Sequence, residues 1–146
     1  MLFPRIFLRS FRVLLFPVAV LYGVVIRFRN WLFDKKILTS VSFGLPLISV
    51  GNLAVGGTGK SPFIQYLVSS LGEADSLAVL SRGYKRRSRG YRLAKPDSTV
   101  YEIGDEALLL YQRFPTLTVA VGEKRLLAIP QILQDRPNTR CILLDD

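Results

Sequence analysis

A chain of 146 residues, 49% apolar and 21% charged, is long enough for one domain with a packed core, and that composition excludes a disordered chain. Its formal charge of +9, from 20 Lys and Arg against 11 Asp and Glu, suits an anionic partner: phosphate, an anionic membrane surface or nucleic acid. With no histidine and one cysteine, His-based catalysis, a His-ligated metal and an intrachain disulfide are excluded within these residues, and Cys141 fits a reducing compartment.

The charge is unevenly spread. Residues 1–40 hold seven basic residues and one acid, and a second cluster follows at Lys85, Arg86, Arg87, Arg89, Arg92 and Lys95. For either cluster alone, a solvated basic face is the competing reading.

Residues 13–26 form an apolar run of 14 between Arg12 and Arg27. At ~1.5 Å per residue it spans roughly 21 Å, less than the ~30 Å hydrocarbon core of a bilayer. No small-residue cleavage site follows it, so a signal peptide does not fit. At about 100° per residue, Arg5, Arg9, Arg12 and Arg27 fall within roughly 60° of one another, with Pro17 expected to disturb that phase. The pattern predicts a helix in the membrane interface, with Tyr22 and Trp31 at headgroup level; an amphipathic helix packed on the domain is the alternative.

From Pro46 the chain alternates apolar runs with helical patterns. Leu47-Ile48-Ser49-Val50 predicts a buried strand, then a glycine loop over 51–59 and a helix from Lys60 to Leu71. Residues 77–80 predict a second strand, and 83–98 a loop that holds a short strand at 91–93. Gly104 opens a helix to Arg113, halted before Pro115. Residues 117–121 predict a third strand, 124–133 a helix and 141–144 a fourth strand. Strands alternating with helices indicate an α/β fold with a mainly parallel sheet. The expected division is a basic hydrophobic helix over 1–40 and an α/β domain over 41–146. The chain stops on an apolar strand tipped with Asp145 and Asp146, an ending expected of a piece of a longer protein.

The strongest chemical signal is Gly56-Gly57-Thr58-Gly59-Lys60-Ser61, after a strand and before a helix. Glycines let backbone N–H groups turn inward around a phosphate. Lys60 reaches the β- and γ-phosphates, Ser61 offers a hydroxyl to Mg²⁺, and the helix N-terminus adds its dipole. Pro62 sits in the first turn, where its missing N–H costs nothing. The first glycine of the usual G-x-x-x-x-G-K-[ST] pattern is replaced by Ala54. Guanine-nucleotide switches read their base with N-K-x-D, a string absent here, and partitioning ATPases carry a lysine where this chain has Val55.

The block from Ile48 to Pro62 resembles the P-loop of the tetraacyldisaccharide 4'-kinases. So do Leu80-Ser81-Arg82-Gly83-Tyr84, Gly104-Asp105-Glu106-Ala107 and Leu143-Leu144-Asp145-Asp146 resemble further blocks of that family, in the same order. The resemblance implies a P-loop NTPase-like α/β fold, a mainly parallel sheet flanked by helices, behind an N-terminal membrane-associated helix. It implies transfer of the γ-phosphate of ATP, with Mg²⁺, to the 4'-hydroxyl of a tetraacylated disaccharide 1-phosphate lipid. The expected place is the cytoplasmic face of a Gram-negative inner membrane, with that membrane surface as a partner and nucleic acid not one.

By the same resemblance, Ala54, Val55, Gly56, Gly57, Thr58, Gly59, Lys60 and Ser61 cradle the nucleotide. Asp105 is the base toward the sugar hydroxyl with Glu106 beside it. Asp145 and Asp146 join Ser61 at the metal, and Arg82 and Arg125 stabilise charge. Read from the residues alone, Asp105-Glu106 equally complements a helix dipole, and Asp145-Asp146 equally marks a strand end. Members of that family run to more than twice this length, so the expected fold is incomplete. Two other functions compete: a membrane-attached P-loop ATPase acting as a partner-driven switch, and a nucleic-acid-binding module. The second lacks stacking aromatics and any reader motif.

Overall fold

The structure, a computed structural model, describes residues 3–38, 40–52, 59–71 and 74–146, with side chains from residue 15 onward. The chain divides into two compact units, Met1–Ser42 and Phe43–Asp146.

The first unit is built on helix α1, Phe3–Asp34. Pro17 lies inside it, and the helix continues through, so the expected break at that residue does not occur. Proline removes one N–H donor from the ladder, and the helix runs on for more than a turn on both sides of it. Within it, Leu15–Asp34 forms a stretch of 20 residues long and apolar enough, by length and composition, to cross a membrane, and none of it is buried. Val18, Leu21, Tyr22, Val25, Phe28 and Trp31 are exposed, and the Phe28 and Trp31 rings stack at 5.9 Å.

The second unit is a five-stranded sheet with helices on both faces. Its elements in chain order are β1 (Leu47–Val50), α2 (Lys60–Leu71), β2 (Leu77–Ser81), β3 (Arg92–Leu93), α3 (Val100–Ile103), α4 (Asp105–Arg113), β4 (Thr118–Val121), α5 (Arg125–Asp135) and β5 (Cys141–Asp145). The strand order is β1-β5-β2-β4-β3, parallel except for the antiparallel β3–β4 pair.

Alternation along each strand sorts side chains onto two faces. Leu77, Val79, Val119, Val121 and Leu143 meet Ile64 and Val68 of α2, Ile103 of α3, and Ala107 and Leu110 of α4. Ala78, Leu80, Ala120 and Ile142 meet Ala128, Ile129 and Ile132 of α5. Strands covered on both faces read as unbroken apolar runs, which is why β2, β4 and β5 are visible in the sequence.

One strand differs from expectation. The apolar run 47–50 predicts a buried strand; β1 instead lies at the sheet edge, with Leu47 and Ile48 exposed and Val50 alone buried. Within this chain β1 has a strand neighbour on one side only, β5, which leaves Leu47 and Ile48 uncovered. A four-residue helix, α3, is a second difference. It is signalled by Thr99-Val100-Tyr101-Glu102: the Glu102 carboxylate accepts hydrogen bonds from the Thr99 amide at 2.9 Å and the Thr99 hydroxyl at 3.2 Å.

The register decides where the strands end. Val50 pairs with Asp145, Asp145 with Ser81, and Ser81 with Val121, so the four parallel strands end in one row. Loops leaving that row converge on one crevice, where open α/β sheets bind ligands.

Candidate active site

The row of strand ends gathers residues far apart in sequence. After β1 come Gly51 and Asn52; after β2, Arg82; at and after the end of β5, Asp145 and Asp146. They open on a cleft of about 490 Å³, also lined by Lys60, Tyr84, Asp105 and Glu106. Residues 54–58, the first five of the predicted phosphate loop (Ala54, Val55, Gly56, Gly57 and Thr58), lie outside the described residues. Gly59 follows with φ +80, a left-handed conformation suited to glycine, and its carbonyl accepts the first helical bond of α2 from the Phe63 amide.

Lys60 opens α2 and faces the acids. Its ammonium lies 3.1 Å from Asp145 Oδ1 and donates to the main-chain oxygen of Asp146 at 2.5 Å. The Asp145 side chain is only 10% exposed, and its Oδ1 is buried, with the Lys60 ammonium close by but outside hydrogen-bond geometry. Ser61 follows in the first turn, half-buried, and does not line the cleft.

Two arginines converge on Asp146. Arg82 donates through Nε and Nη2 to Asp146 Oδ1 at 3.1 and 2.8 Å. Arg125 Nη2 donates to the same oxygen at 2.9 Å and to the Asp145 carbonyl at 3.1 Å, while its Nη1 donates to the Gly122 carbonyl at 3.2 Å. Arg125 reaches Asp146 from the first turn of α5 without itself lining the cleft. Burial lowers its guanidinium pKa from the ordinary value; Asp146 and Asp145 oppose that shift and Arg82 adds to it.

Asp105 and Glu106 begin α4 on the cleft wall, both exposed, and Asp105 Oδ1 accepts the Glu106 amide at 3.0 Å. Gly104 is the N-cap of α4 and makes no side-chain cap bond, so the dipole reading rests on the two acids in the first turn. Gly104 joins α3 to α4 at φ +88, and a Cβ there would meet the Tyr84 carbonyl at 3.0 Å. Of the predicted residues, the structure thus brings Lys60, Arg82, Asp105, Glu106, Asp145 and Asp146 to one cleft, with Arg125 behind Asp146.

A brace behind this cleft has no signal in the sequence. Arg86, whose side chain is 2% exposed, donates to Glu123 Oε1 and to the Gly90 carbonyl, each at 2.6 Å, and Glu123 Oε2 accepts the Gly90 amide at 3.0 Å. Partial burial raises the Glu123 carboxyl, but hydrogen bonds from its own amide, Arg86 and Gly90 outweigh that and hold it below the ordinary carboxylate value. Arg86 lies directly under Gly83, where a Cβ would come within 2.4 Å of its Cδ. The pair spans 37 positions, which no local spacing could reveal.

A parallel α/β sheet in which the lysine of a strand–loop–helix turn faces acids at the end of a neighbouring strand defines a P-loop NTPase-like protein. Residues 11–146 match the family described as Tetraacyldisaccharide-1-P 4'-kinase, and the chain belongs to that family. It is 51% identical over 135 residues to a tetraacyldisaccharide 4'-kinase of Flavobacterium johnsoniae, covering 92% of this chain and 40% of the relative. It is also 51% identical over 133 residues to one of Bacteroides thetaiotaomicron, covering 90% of this chain and 35% of the relative. A solved structure of LpxK from Aquifex aeolicus, in complex with ATP, superposes with a TM-score of 0.71 at 36% identity, over 92% of this chain and 43% of that one. The chain spans about two fifths of the length of the relatives it matches.

Proposed function

We propose that the protein carrying this chain transfers the γ-phosphate of ATP to the 4'-hydroxyl of a tetraacylated glucosamine disaccharide 1-phosphate. It does so at the cytoplasmic face of a Gram-negative inner membrane, to which α1 attaches it. The observation that carries this reading is the single cleft in which Lys60 faces Asp145 and Asp146 with Asp105 on the wall, in a chain half identical to relatives named for that reaction.

The residues fit the groups this reaction requires. Phosphoryl transfer asks for alignment and charge neutralisation more than covalent chemistry. In this reading Lys60, at the start of α2, meets the nucleotide phosphates, and the helix dipole adds to its charge. Asp145 and Asp146 offer hard oxygens, and among the described residues no cluster of three or more His, Cys, Asp or Glu could hold a metal alone. That suits Mg²⁺, which takes one or two carboxylates and completes its shell with phosphate oxygens and water. Bound there with the Ser61 hydroxyl, Mg²⁺ would supply charge neutralisation on the phosphates. Asp105 accepts the proton of the attacking hydroxyl with Glu106 beside it, and Arg82 and Arg125 move from Asp146 toward the transferred group.

The test is transfer of radiolabel from ATP to the lipid disaccharide by the full-length protein. Lys60→Arg keeps a cation beside the buried Asp145 but not the compact ammonium, and it should abolish transfer without unfolding the protein. Asp105→Ala should lower kcat about 10²-fold or more with a smaller change in KM for ATP. A variant at Asp105 that loses thermal stability alone would favour the helix-dipole role, and ATP hydrolysis without labelled lipid would favour a switch.

A further inference from the structure

The loop after β2 is unusual in what it exposes. From Tyr84 to Lys95 it carries six basic residues and no acid. Arg86 is tied to Glu123, whereas Lys85 and Arg87 have no acid partner among the described residues. Each instead lies over an aromatic ring: the Arg87 guanidinium 4.5 Å from the centroid of Tyr101, the Lys85 ammonium 5.4 Å from that of Tyr84. Those rings face outward, Tyr84 75% and Tyr101 60% exposed.

This segment is fastened in place. The Arg87 and Ser88 amides both donate to the Tyr101 carbonyl, at 2.8 and 3.3 Å, and the Ser88 hydroxyl donates to the Glu102 carbonyl. Lys85 is held at φ 62, a left-handed conformation that a residue with a Cβ rarely adopts and that persists only where the surroundings enforce it. The nearest acid on α3, Glu102, is turned back onto Thr99. The result is a fixed rim of two exposed tyrosines and two unneutralised cations, and Tyr84 also lines the cleft.

We propose that Tyr84, Lys85, Arg87 and Tyr101 form a docking surface for an anionic lipid bilayer, separate from any contact made by α1. Tyrosine is an interfacial residue, apolar in its ring and wet at its hydroxyl, and basic side chains beside it are drawn to anionic headgroups. Docking there presents the mouth of the cleft to the lipid plane. Only this purpose rests on the kinase reading; the contact itself needs no phosphoryl transfer.

The experiment uses the full-length protein with Trp31→Phe and every tryptophan outside residues 1–146 likewise replaced, so that Tyr84→Trp is the one indole. Vesicles are phosphatidylcholine with or without phosphatidylglycerol, each with lipids brominated on the acyl chain. With anionic vesicles, emission from position 84 should shift to the blue and be quenched. Adding Lys85→Gln and Arg87→Gln should remove that quenching and weaken partition into anionic vesicles about thirtyfold, with binding to neutral vesicles unchanged. Protein that co-sediments with anionic vesicles while its indole stays unquenched overturns the proposal. So does a double variant that loses a single-stranded oligonucleotide but keeps its vesicle affinity. Binding of Mg-ATP, measured in parallel on the full-length protein with Tyr84 intact, tests the kinase reading by itself.

Discussion

Leu15–Asp34 of α1 and the strands β2 and β4 draw largely on the same side chains, leucine, valine and alanine, yet they treat them oppositely. In the strands, Leu77 to Leu80 and Thr118 to Val121 are buried; along the helix segment no residue is. The sheet supplies neighbours on two faces, α2, α3 and α4 on one and α5 on the other, so each side chain is removed from water within the unit. Helix α1 has no such neighbours in its unit. Apolar composition is therefore a demand for a partner, and for α1 that partner lies outside the unit. Its 20-residue segment is about 30 Å long, close to the thickness of a bilayer core, where the 14-residue run between arginines implies a shorter reach.

The largest expected effect breaks the comparison directly. Leu143→Ala, at a fully buried position, should lower unfolding stability by about 2–5 kcal/mol in thermal or denaturant melts. Leu21→Ala, two-thirds exposed on α1, should stay within about 0.5 kcal/mol in the same melts. Equal losses would mean that α1 packs against the protein after all.

A smaller effect sharpens the α1 side. Replacing Arg5, Arg9, Arg12 and Arg27 with Gln should reduce the preference for anionic vesicles, at roughly 1 kcal/mol per residue near the surface, to the part carried by Lys85 and Arg87, and leave residual binding to neutral lipid. Added salt should weaken wild-type binding without abolishing it, since charges are screened over ~8–10 Å and apolar burial is not. Indifference to both lipid charge and salt would show that the arginine stripe plays no part.

The smallest concerns the sheet side. Glu123 has a folded pKa depressed below its ordinary value of 4.5, so between the two values the unfolded chain binds more protons than the native one. Stability from this group is present above the ordinary value and lost as pH falls through the folded one. Glu123 is half exposed, so Glu123→Gln should reduce stability at neutral pH only slightly and flatten its acid limb below about pH 4.5. An unchanged acid limb would leave the Arg86–Glu123 brace without a role in stability.

Much of this architecture is legible in the sequence because local patterns specify it. The helix over Lys60–Leu71 follows from a glycine loop before an apolar period, and β2, β4 and β5 from apolar runs bounded by turns. Strand order is not legible: within this chain β1 pairs with β5, the last strand, and not with β2, the next one in sequence. The acids and lysine of the cleft stand out in motifs. Their pairing does not, because Lys60 meets Asp146 across 86 positions and Arg82 meets it across 64. Tyr84 and Lys85 are visible as residues, but the strap that fixes their outward pose exists only after α3 has formed.

The cluster of Lys60, Arg82 and Arg125 around Asp145 and Asp146 has a further consequence for how this cleft takes up an anion. With Asp105 and Glu106 on the wall, three cations stand against four carboxylates, so the cleft has no surplus of positive charge, and each cation already holds an internal counter-ion. On the proposed kinase reading, a triphosphate arriving here would work as an ion exchanger: it would trade places with carboxylates of the protein and release few ions from solution. Its affinity should accordingly change less steeply with added salt than that of an open basic pocket with the same cations, which sheds dissolved counter-ions on binding.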